Sequence, residues 1–188
     1  MFVCAATMFI KLSTLSVFLG LGVVALNVFG LFKPAEFAVA ARKFPRCLPV
    51  GYVLTLLGTG WFVWNVQGES LADFEAMKPF LYVLFIAVGV GTCLYVTDFL
   101  AVRGLAVVML MLAKLMLDTQ RWAESNWKLV IAVWGYLLVL AAMWFTVSPW
   151  RLRDLVNWST ANDQRTRLFC GIRCAFGLFV ALLGLTVF

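Results

Sequence analysis

Long apolar runs separated by short polar segments constrain this chain more than any other feature. The first run extends over residues 12–32 without a charged side chain. A helix of that length rises about 31 Å, which matches the hydrocarbon core of a bilayer. Hydrophobic residues make up 64% of the 188 residues and charged residues only 13%. A soluble domain of this size cannot bury so much apolar surface. The sequence therefore predicts an all-α integral membrane protein.

The runs predict about six transmembrane helices that form one domain and follow one another as three hairpins. The predicted spans cover residues 12–32, 48–66, 79–100, 104–122, 127–147 and 168–188. The fourth is interrupted by Lys114 and Asp118, and its clean apolar stretch is only residues 105–113. The second and third are separated by a polar, acidic loop at residues 67–78, where Ser70 and Asp73 predict a capped short helix.

Two segments that begin with proline predict short amphipathic helices at the membrane surface. They cover residues 34–44 and 149–158, and a proline suits the first turn of a helix. Each carries apolar side chains at helical spacing, which favours a position on a membrane over one in water. The side chains expected to face apolar surroundings are Phe37, Phe44, Leu152 and Leu155.

Basic residues are distributed unequally between the two predicted sides of the membrane. One side carries Lys33, Arg42, Lys43, Arg46, Arg103, Arg151, Arg153, Arg165 and Arg167. The other carries Lys11, Lys78, Arg121 and Lys128. The positive-inside rule places the richer side in the cytoplasm and both termini outside, as expected in a bacterial inner membrane. The net charge of +6 then indicates contact with anionic lipid and excludes nucleic acid as the partner.

The composition also limits the chemistry of the chain. Histidine is absent, which excludes histidine-dependent catalysis and histidine ligation of metals or haem. Five cysteines are present, but they form no C-x-x-C motif. Cys170 and Cys174 share a helix face and are two ligands short of a structural zinc site. We expect the cysteines to pack as small apolar residues, and we expect no metal or cofactor.

Five polar residues within or near the spans need a partner or a function. They are Asn27, Asp98, Lys114, Asp118 and Arg173. A charge inside a span costs about 2.5–3.5 kcal/mol on insertion scales. Lys114 and Asp118 are four residues apart, so the simplest hypothesis is a local ion pair, and the alternative is a ligand or ion site.

Asp98, Arg173 and Asn27 are expected at one level of the membrane near the cytoplasmic side. An ion pair between Asp98 and Arg173, with Asn27 nearby, would lower the cost of burying both charges. The alternative is that Asp98 caps a turn and Arg173 extends to the lipid headgroups.

Small residues recur within the spans at intervals that favour close helix packing. Ser16 and Gly20 are four residues apart, as are Gly171 and Ala175. Such pairs let membrane helices approach closely, so we interpret them as packing surfaces and not as the lining of a pore.

Three classes of function follow from these observations. The leading hypothesis is a small non-catalytic membrane protein with a structural, assembly or accessory role, bound to a membrane-protein partner or to copies of itself. The alternative is a small transporter or channel that uses the polar residues within the spans. An intramembrane enzyme ranks third, because no nucleophile motif or paired acidic motif is present.

Overall fold

The computed structural model describes residues 11–68, 77–121, 123 and 125–188, and within these ranges it contains helices and no β-strand. The helices are α1 (Leu12–Phe32), α2 (Pro34–Lys43), a 3-10 turn (Phe44–Arg46), α3 (Leu48–Gly68), α4 (Lys78–Tyr95), α5 (Leu100–Arg121), α6 (Lys128–Val147), α7 (Trp150–Ser159) and α8 (Asp163–Thr186). The predicted cap of Ser70 and Asp73 lies outside the described residues.

Five of these helices, α1, α4, α5, α6 and α8, are long and apolar enough to cross a membrane. The helix α3 has 21 residues, but it qualifies as a candidate span only together with the preceding segment, Pro34–Arg46, from which it is bent by 65°. The chain is therefore an all-α integral membrane protein with five or six spans, which confirms the predicted fold class.

The boundaries differ most at the end of the third span and at the start of the sixth, each by five residues. The predicted third span extended to residue 100, but α4 ends at Tyr95, and Asp98 lies in the turn that follows. Phe99 adopts a φ of 55°, in the left-handed region, and α5 begins at Leu100. Arg103, predicted to belong to the turn, therefore lies in the first turn of a membrane helix. An arginine one turn from the end of a membrane helix is tolerated, because its side chain is long enough to extend to the membrane–water interface.

The packing of the spans does not follow the order of the predicted hairpins. The most extensive contact joins α1 to α8, the first span to the last. The helix α5 is central and packs against α3 on one side and α6 on another, while α4 packs on α3. Trp134 and Phe176 make an edge-to-face contact that brings α6 against α8, with ring centroids 5.2 Å apart.

The contact between α1 and α8 is made by small residues. Gly20 lies against the backbone of Gly177, and neither position has space for a side chain. A Cβ at Gly184 would lie 2.9 Å from the backbone oxygen of Ser13. Dispersion contacts between closely packed backbones hold membrane helices together, because lipid gives no hydrophobic preference for one helix over another. We call the small residues of these two helices the α1–α8 seam.

The seam confirms one predicted pair of small residues and corrects the other. Ser16 and Gly20 are both buried in it, as expected. Gly171 and Ala175 are not, since Ala175 is exposed and a Cβ at Gly171 would meet only one leucine carbon at 3.7 Å. Their neighbours Cys170 and Cys174 are buried there instead.

The two short helices pack onto one end of the bundle. Phe44 and Leu152 join an apolar cluster with Val102 and Phe145, so both face apolar surroundings as predicted. Leu155 is 46% exposed and lies outside that cluster. That both helices lie near the membrane plane stays a prediction.

A charged side chain connects the two short helices. Arg42 at the end of α2 donates from Nε to Thr160 Oγ1 over 3.0 Å, and from a terminal nitrogen to the Thr160 carbonyl oxygen. Thr160 is buried and follows directly on α7. The chain segments after the first span and after the fifth are thereby tied together, over a separation of 118 residues.

Candidate functional site

Four charged residues of α5 lie on one side of that helix. Arg103, Lys114, Asp118 and Arg121 are separated by 11, 4 and 3 residues. Because an α-helix turns by about 100° per residue, these intervals place all four within an arc of about 60°. We call these four residues the charged face of α5. Sequence reasoning found the central two but missed the face, because Arg103 was assigned to a turn. The intervals of 11, 4 and 3 residues in the sequence already indicated that the four charged residues share one side of a helix.

The other sides of α5 are covered by neighbouring helices. Towards α3, a Cβ at Gly104 would lie 2.8 Å from both the backbone nitrogen and the hydroxyl oxygen of Thr55. Towards α6, Leu117 contacts Gly135. Towards α1, the buried Met116 belongs to an apolar cluster with residues of α1 and α6. The contact with α3 extends into the charged face, because Val107 lies between Lys114 and Asp118 around the helix axis and contacts Gly58 of α3.

Lys114 and Asp118 form an ion pair at the centre of the charged face. Lys114 Nζ lies 2.8 Å from Asp118 Oδ2, which confirms the predicted local pair. Their side chains are 36% and 45% exposed. Lys114 is seven residues from the end of α5, and therefore about 10 Å along the helix axis from that end. The pair therefore lies within a candidate span, and its two charges oppose one another.

Two arginines lie at the two ends of the charged face. Arg103 Nε is buried and has no hydrogen-bond partner among the described residues. Arg121 is exposed at the last residue of α5. A buried guanidinium nitrogen without an acceptor loses the hydrogen bond that it would make with water, which is unfavourable by about 1–3 kcal/mol. The face thus carries three cations and one anion, and one guanidinium nitrogen, Arg103 Nε, lacks an acceptor among the described residues.

Asn27 is satisfied within its own helix. Its side-chain nitrogen donates to the Val23 carbonyl oxygen over 2.8 Å, and the residue is buried in α1. It lies between Gly20 and Gly30, both of which approach α8 closely. Asn27 is therefore part of the packed α1–α8 region, and among the described residues its side chain makes no hydrogen bond to Asp98 or Arg173, with which it was predicted to lie.

The predicted ion pair between Asp98 and Arg173 is wrong. In the part of the chain that the structure describes, neither residue takes part in a salt bridge. Both side chains are exposed, Asp98 in the turn after α4 and Arg173 on α8. The prediction failed because it placed Asp98 inside a span, whereas α4 ends three residues earlier.

The described cysteines are unpaired and act as packing residues. Cys47, Cys93, Cys170 and Cys174 are free, and the last three are buried. Cys174 Sγ lies 3.9 Å from the Val24 carbonyl oxygen across the α1–α8 seam. Within the described ranges, no group of three or more His, Cys, Asp or Glu side chains could hold a metal ion.

The elements that carry the basic residues meet at one end of the bundle. The helix α2 contacts α7 and α8, the 3-10 turn contacts the first part of α5, and α7 contacts α8. We call this end the basic end; its cations are Lys33, Arg42, Lys43, Arg46, Arg103, Arg151, Arg153, Arg165 and Arg167. Two of them have acidic neighbours, in the pairs Lys33–Glu36 at 2.9 Å and Arg153–Asp154 at 3.0 Å. The basic end therefore keeps an excess of positive charge.

Comparison of the chain with protein-family models, with curated proteins and with solved structures finds no match.

Proposed function

We propose that this chain is a non-catalytic accessory component of a membrane assembly. The observation that supports this most directly is the charged face of α5. An ion pair with side chains 36% and 45% exposed is unfavourable against acyl chains, so a further protein segment is expected to cover it. The closely packed α1–α8 seam supports a structural role for the rest of the bundle, because it fixes the helices that hold α5 in place.

The proposal includes an orientation. The basic end would face the cytoplasm of a bacterium, with the chain in the inner membrane and both termini outside. The convergence of nine basic residues on elements that contact one another supports this. It also supports contact between the basic end and the phosphates of anionic lipids. The orientation requires α3 to cross the membrane together with the five other spans.

Cysteine labelling tests the orientation. In a variant that lacks the native cysteines, a single cysteine replaces Arg46 or Arg165 at the basic end, and another replaces Asn126 at the opposite end. A membrane-impermeant maleimide added to intact cells should label the Asn126 position only. Labelling of Arg46→Cys or Arg165→Cys from outside would show that the proposed orientation is wrong.

The accessory function is tested by extraction in a mild detergent followed by native mass spectrometry. A second polypeptide in a fixed ratio to this chain is the expected result. The assembly should persist after the chain is purified through a tag on either terminus. A chain that is monomeric in native membranes, both by native mass spectrometry and by cross-linking, would overturn the proposal.

A small transporter or channel is the second candidate, because Lys114 and Asp118 are the kind of polar pair that lines a solute path. The two functions differ in one measurable property. Purified chain in liposomes should show no flux of ions or small solutes above that of empty liposomes if it is an accessory component. Flux that is lost in Asp118→Asn but retained in Asp154→Asn, a matched change at the surface, would favour the transporter.

A further inference from the structure

We propose that a crevice between the α1–α8 pair and α5 binds one molecule of an anionic phospholipid, whose phosphate pairs with Arg173. We call it the Arg173 crevice; its lining includes Gly22 and Leu26 of α1, Met109 of α5 and Arg173 of α8. The crevice lies between the helices, apart from the cations of the basic end. The inference therefore depends neither on the accessory function nor on the orientation.

The side of α1 that faces α5 is buried near one end of the helix and open near the other. Leu15 is 6% exposed in an apolar cluster with Met116 of α5, and Leu19 packs against that cluster. Leu26 is 11 and 7 residues further along, so it lies within about 20° of both around the helix axis, yet it is 75% exposed. Gly22 is seven residues after Leu15, and nothing lies within 4 Å of a Cβ there. The helices α1 and α5 therefore separate towards the basic end.

The helix α8 shows the same change over the same part of the bundle. Val180 is buried in the cluster that contains Leu15. Arg173 lies seven residues nearer to the basic end and within about 20° of Val180 around the helix axis, but its side chain is exposed. Thr166, a further seven residues on, is buried again. An exposed position between two buried ones on the same side of a helix indicates an opening at its level.

The helices on the other side of the opening pack among themselves. The apolar cluster at the basic end joins α5, α6, α7 and the 3-10 turn, and among the described residues it contains none from α1 or α8. Met109 packs at the edge of that cluster, and it lies seven residues before Met116 on the same side of α5. It is only partly buried. Met109 therefore lies on the wall of the crevice that faces α8.

The crevice is closed on the α6 side and open between α1 and α5. Phe176 contacts Trp134 of α6 with ring centroids 5.2 Å apart, and Phe169 contacts Trp158 of α7 at 5.1 Å. These two phenylalanines lie about one turn to either side of Arg173. The exposed Leu26 marks the open side. A lipid would therefore enter between α1 and α5.

Arg173 determines the chemistry of the ligand. It makes no hydrogen bond or ion pair with another described residue. A guanidinium and a phosphate form parallel, charge-assisted hydrogen bonds, and a cation among apolar side chains gains most from such a partner. Side chains on a helix lean towards its N-terminus, which for α8 is the basic end. The guanidinium is thereby directed to the level of the lipid phosphates, while the apolar lining suits an acyl chain.

The length of the crevice favours a lipid over a helix of another protein. It is bounded on α8 by the buried Val180 and Thr166, which are 14 residues or about 21 Å apart along the axis. A spanning helix must cross about 30 Å of hydrocarbon, whereas one leaflet contributes about half of that thickness. The crevice therefore accepts a lipid of one leaflet and excludes a spanning helix, whether from another protein or from a second copy of this chain.

Native mass spectrometry of the purified full chain tests the proposal by titration with lipid. Phosphatidylglycerol should give a complex with one bound molecule, while phosphatidylcholine should bind at least several-fold less and inorganic phosphate should not bind. Arg173→Gln should reduce the bound phosphatidylglycerol at least several-fold, and Arg173→Lys, which keeps the charge, should retain more than Arg173→Gln. The control is Arg165→Gln, since Arg165 is also exposed on α8 but lies about 80° away around the axis. It should bind phosphatidylglycerol as the native protein does.

A second pair of variants tests the crevice without changing a charge. Gly22→Leu places a side chain in the open space of the crevice and should reduce the bound phosphatidylglycerol at least several-fold. Gly60→Leu on α3 is the matched control, because nothing lies within 4 Å of a Cβ there either, and it should leave binding unchanged. Far-UV circular dichroism should give the native helix content for both variants.

The outcomes are distinct from those that test the accessory function. Equal binding of phosphatidylglycerol by Arg173→Gln and the native protein would overturn the inference. An equal loss in Arg165→Gln would do the same, because it would indicate general attraction to the basic end. Equal binding by Gly22→Leu and the native protein would place the lipid elsewhere and also overturn it. A protein partner in a fixed ratio would still support the accessory function in each of these cases.

Discussion

Gly20 and Gly177 lie back to back across the α1–α8 seam, each against the backbone of the other. A Cβ at Gly177 would lie 2.8 Å from the Gly20 carbonyl oxygen. Because the obstacle on each side is a backbone atom, neither helix can yield by changing a rotamer. The first and last spans can therefore pack at this distance only while both positions remain glycine.

The change Gly20→Val should separate α1 from α8, whereas Gly22→Val on the same helix should not, since nothing lies within 4 Å of a Cβ there. Overpacking costs about 1–3 kcal/mol, which corresponds to a fall of roughly 2–12 °C in the unfolding midpoint for a chain of this size. Thermal aggregation in detergent measures the difference. Equal midpoints for the two variants would show that the helices do not approach closely at Gly20.

Leu152 and Leu155 on α7 offer a second matched comparison. Leu152 is 9% exposed in the apolar cluster at the basic end, while Leu155 is 46% exposed. Leu152→Ala should lower the free energy of unfolding by about 2–5 kcal/mol, since it removes buried atoms and leaves a cavity. Leu155→Ala should cost much less. A larger effect at Leu155 would mean that α7 buries the opposite side.

Arg42 should hold the turn after α7 closed. Its two hydrogen bonds to Thr160 require the planar guanidinium, so Arg42→Lys should behave more like Arg42→Ala than like the native protein. We expect faster amide hydrogen exchange at residues 156–162 in both variants. Lys43→Ala, next to Arg42 and also exposed, is the control and should exchange at the native rate. Unchanged exchange in Arg42→Ala would mean that the contact contributes nothing to the turn.

Asp98 and Arg173 should act independently, because the structure pairs neither with the other. The effects of Asp98→Leu and Arg173→Leu on expression yield and on the aggregation midpoint are expected to add in the double variant, within about 0.5 kcal/mol. If the double variant recovers the loss caused by Arg173→Leu alone, the two native side chains are coupled, and the structure is contradicted.

The positions of the spans could be predicted from hydropathy, because lipid requires about 20 apolar residues whatever their neighbours are. The predicted residues 12–32 match α1 throughout. Errors arose where a charge was taken as the end of a helix. Arg103 was assigned to a turn although α5 had already begun, and Arg167 was assigned to a loop although α8 begins at Asp163.

The partners of the spans could not be predicted in the same way, because apolar side chains contact lipid as readily as they contact another helix. The spacing of small residues on α8 was the available signal. Cys170, Cys174, Gly177, Ala181 and Gly184 follow intervals of four and three residues, as expected for one packed face. Gly171 and Ala175, the pair predicted to pack, each lie one residue further along and belong to a neighbouring face of α8. Nothing in the sequence indicated that this face meets α1.

Lys114 and Asp118 allow a test of whether their ion pair stabilises the native protein. Asp118→Asn removes the carboxylate that lies 2.8 Å from Lys114 Nζ, in a region where the loss of a charged partner is costly. Its expression yield and aggregation midpoint should therefore fall further than those of the double variant, in which Lys114→Gln removes the cation as well. Asp154→Asn is the control, because Asp154 pairs with Arg153 at the exposed surface, where such pairs contribute about 0–1 kcal/mol. We expect the double variant to recover at least half of the loss caused by Asp118→Asn. A double variant that is no better than that single change would show that the two charges are not coupled, and that each is stabilised by different groups.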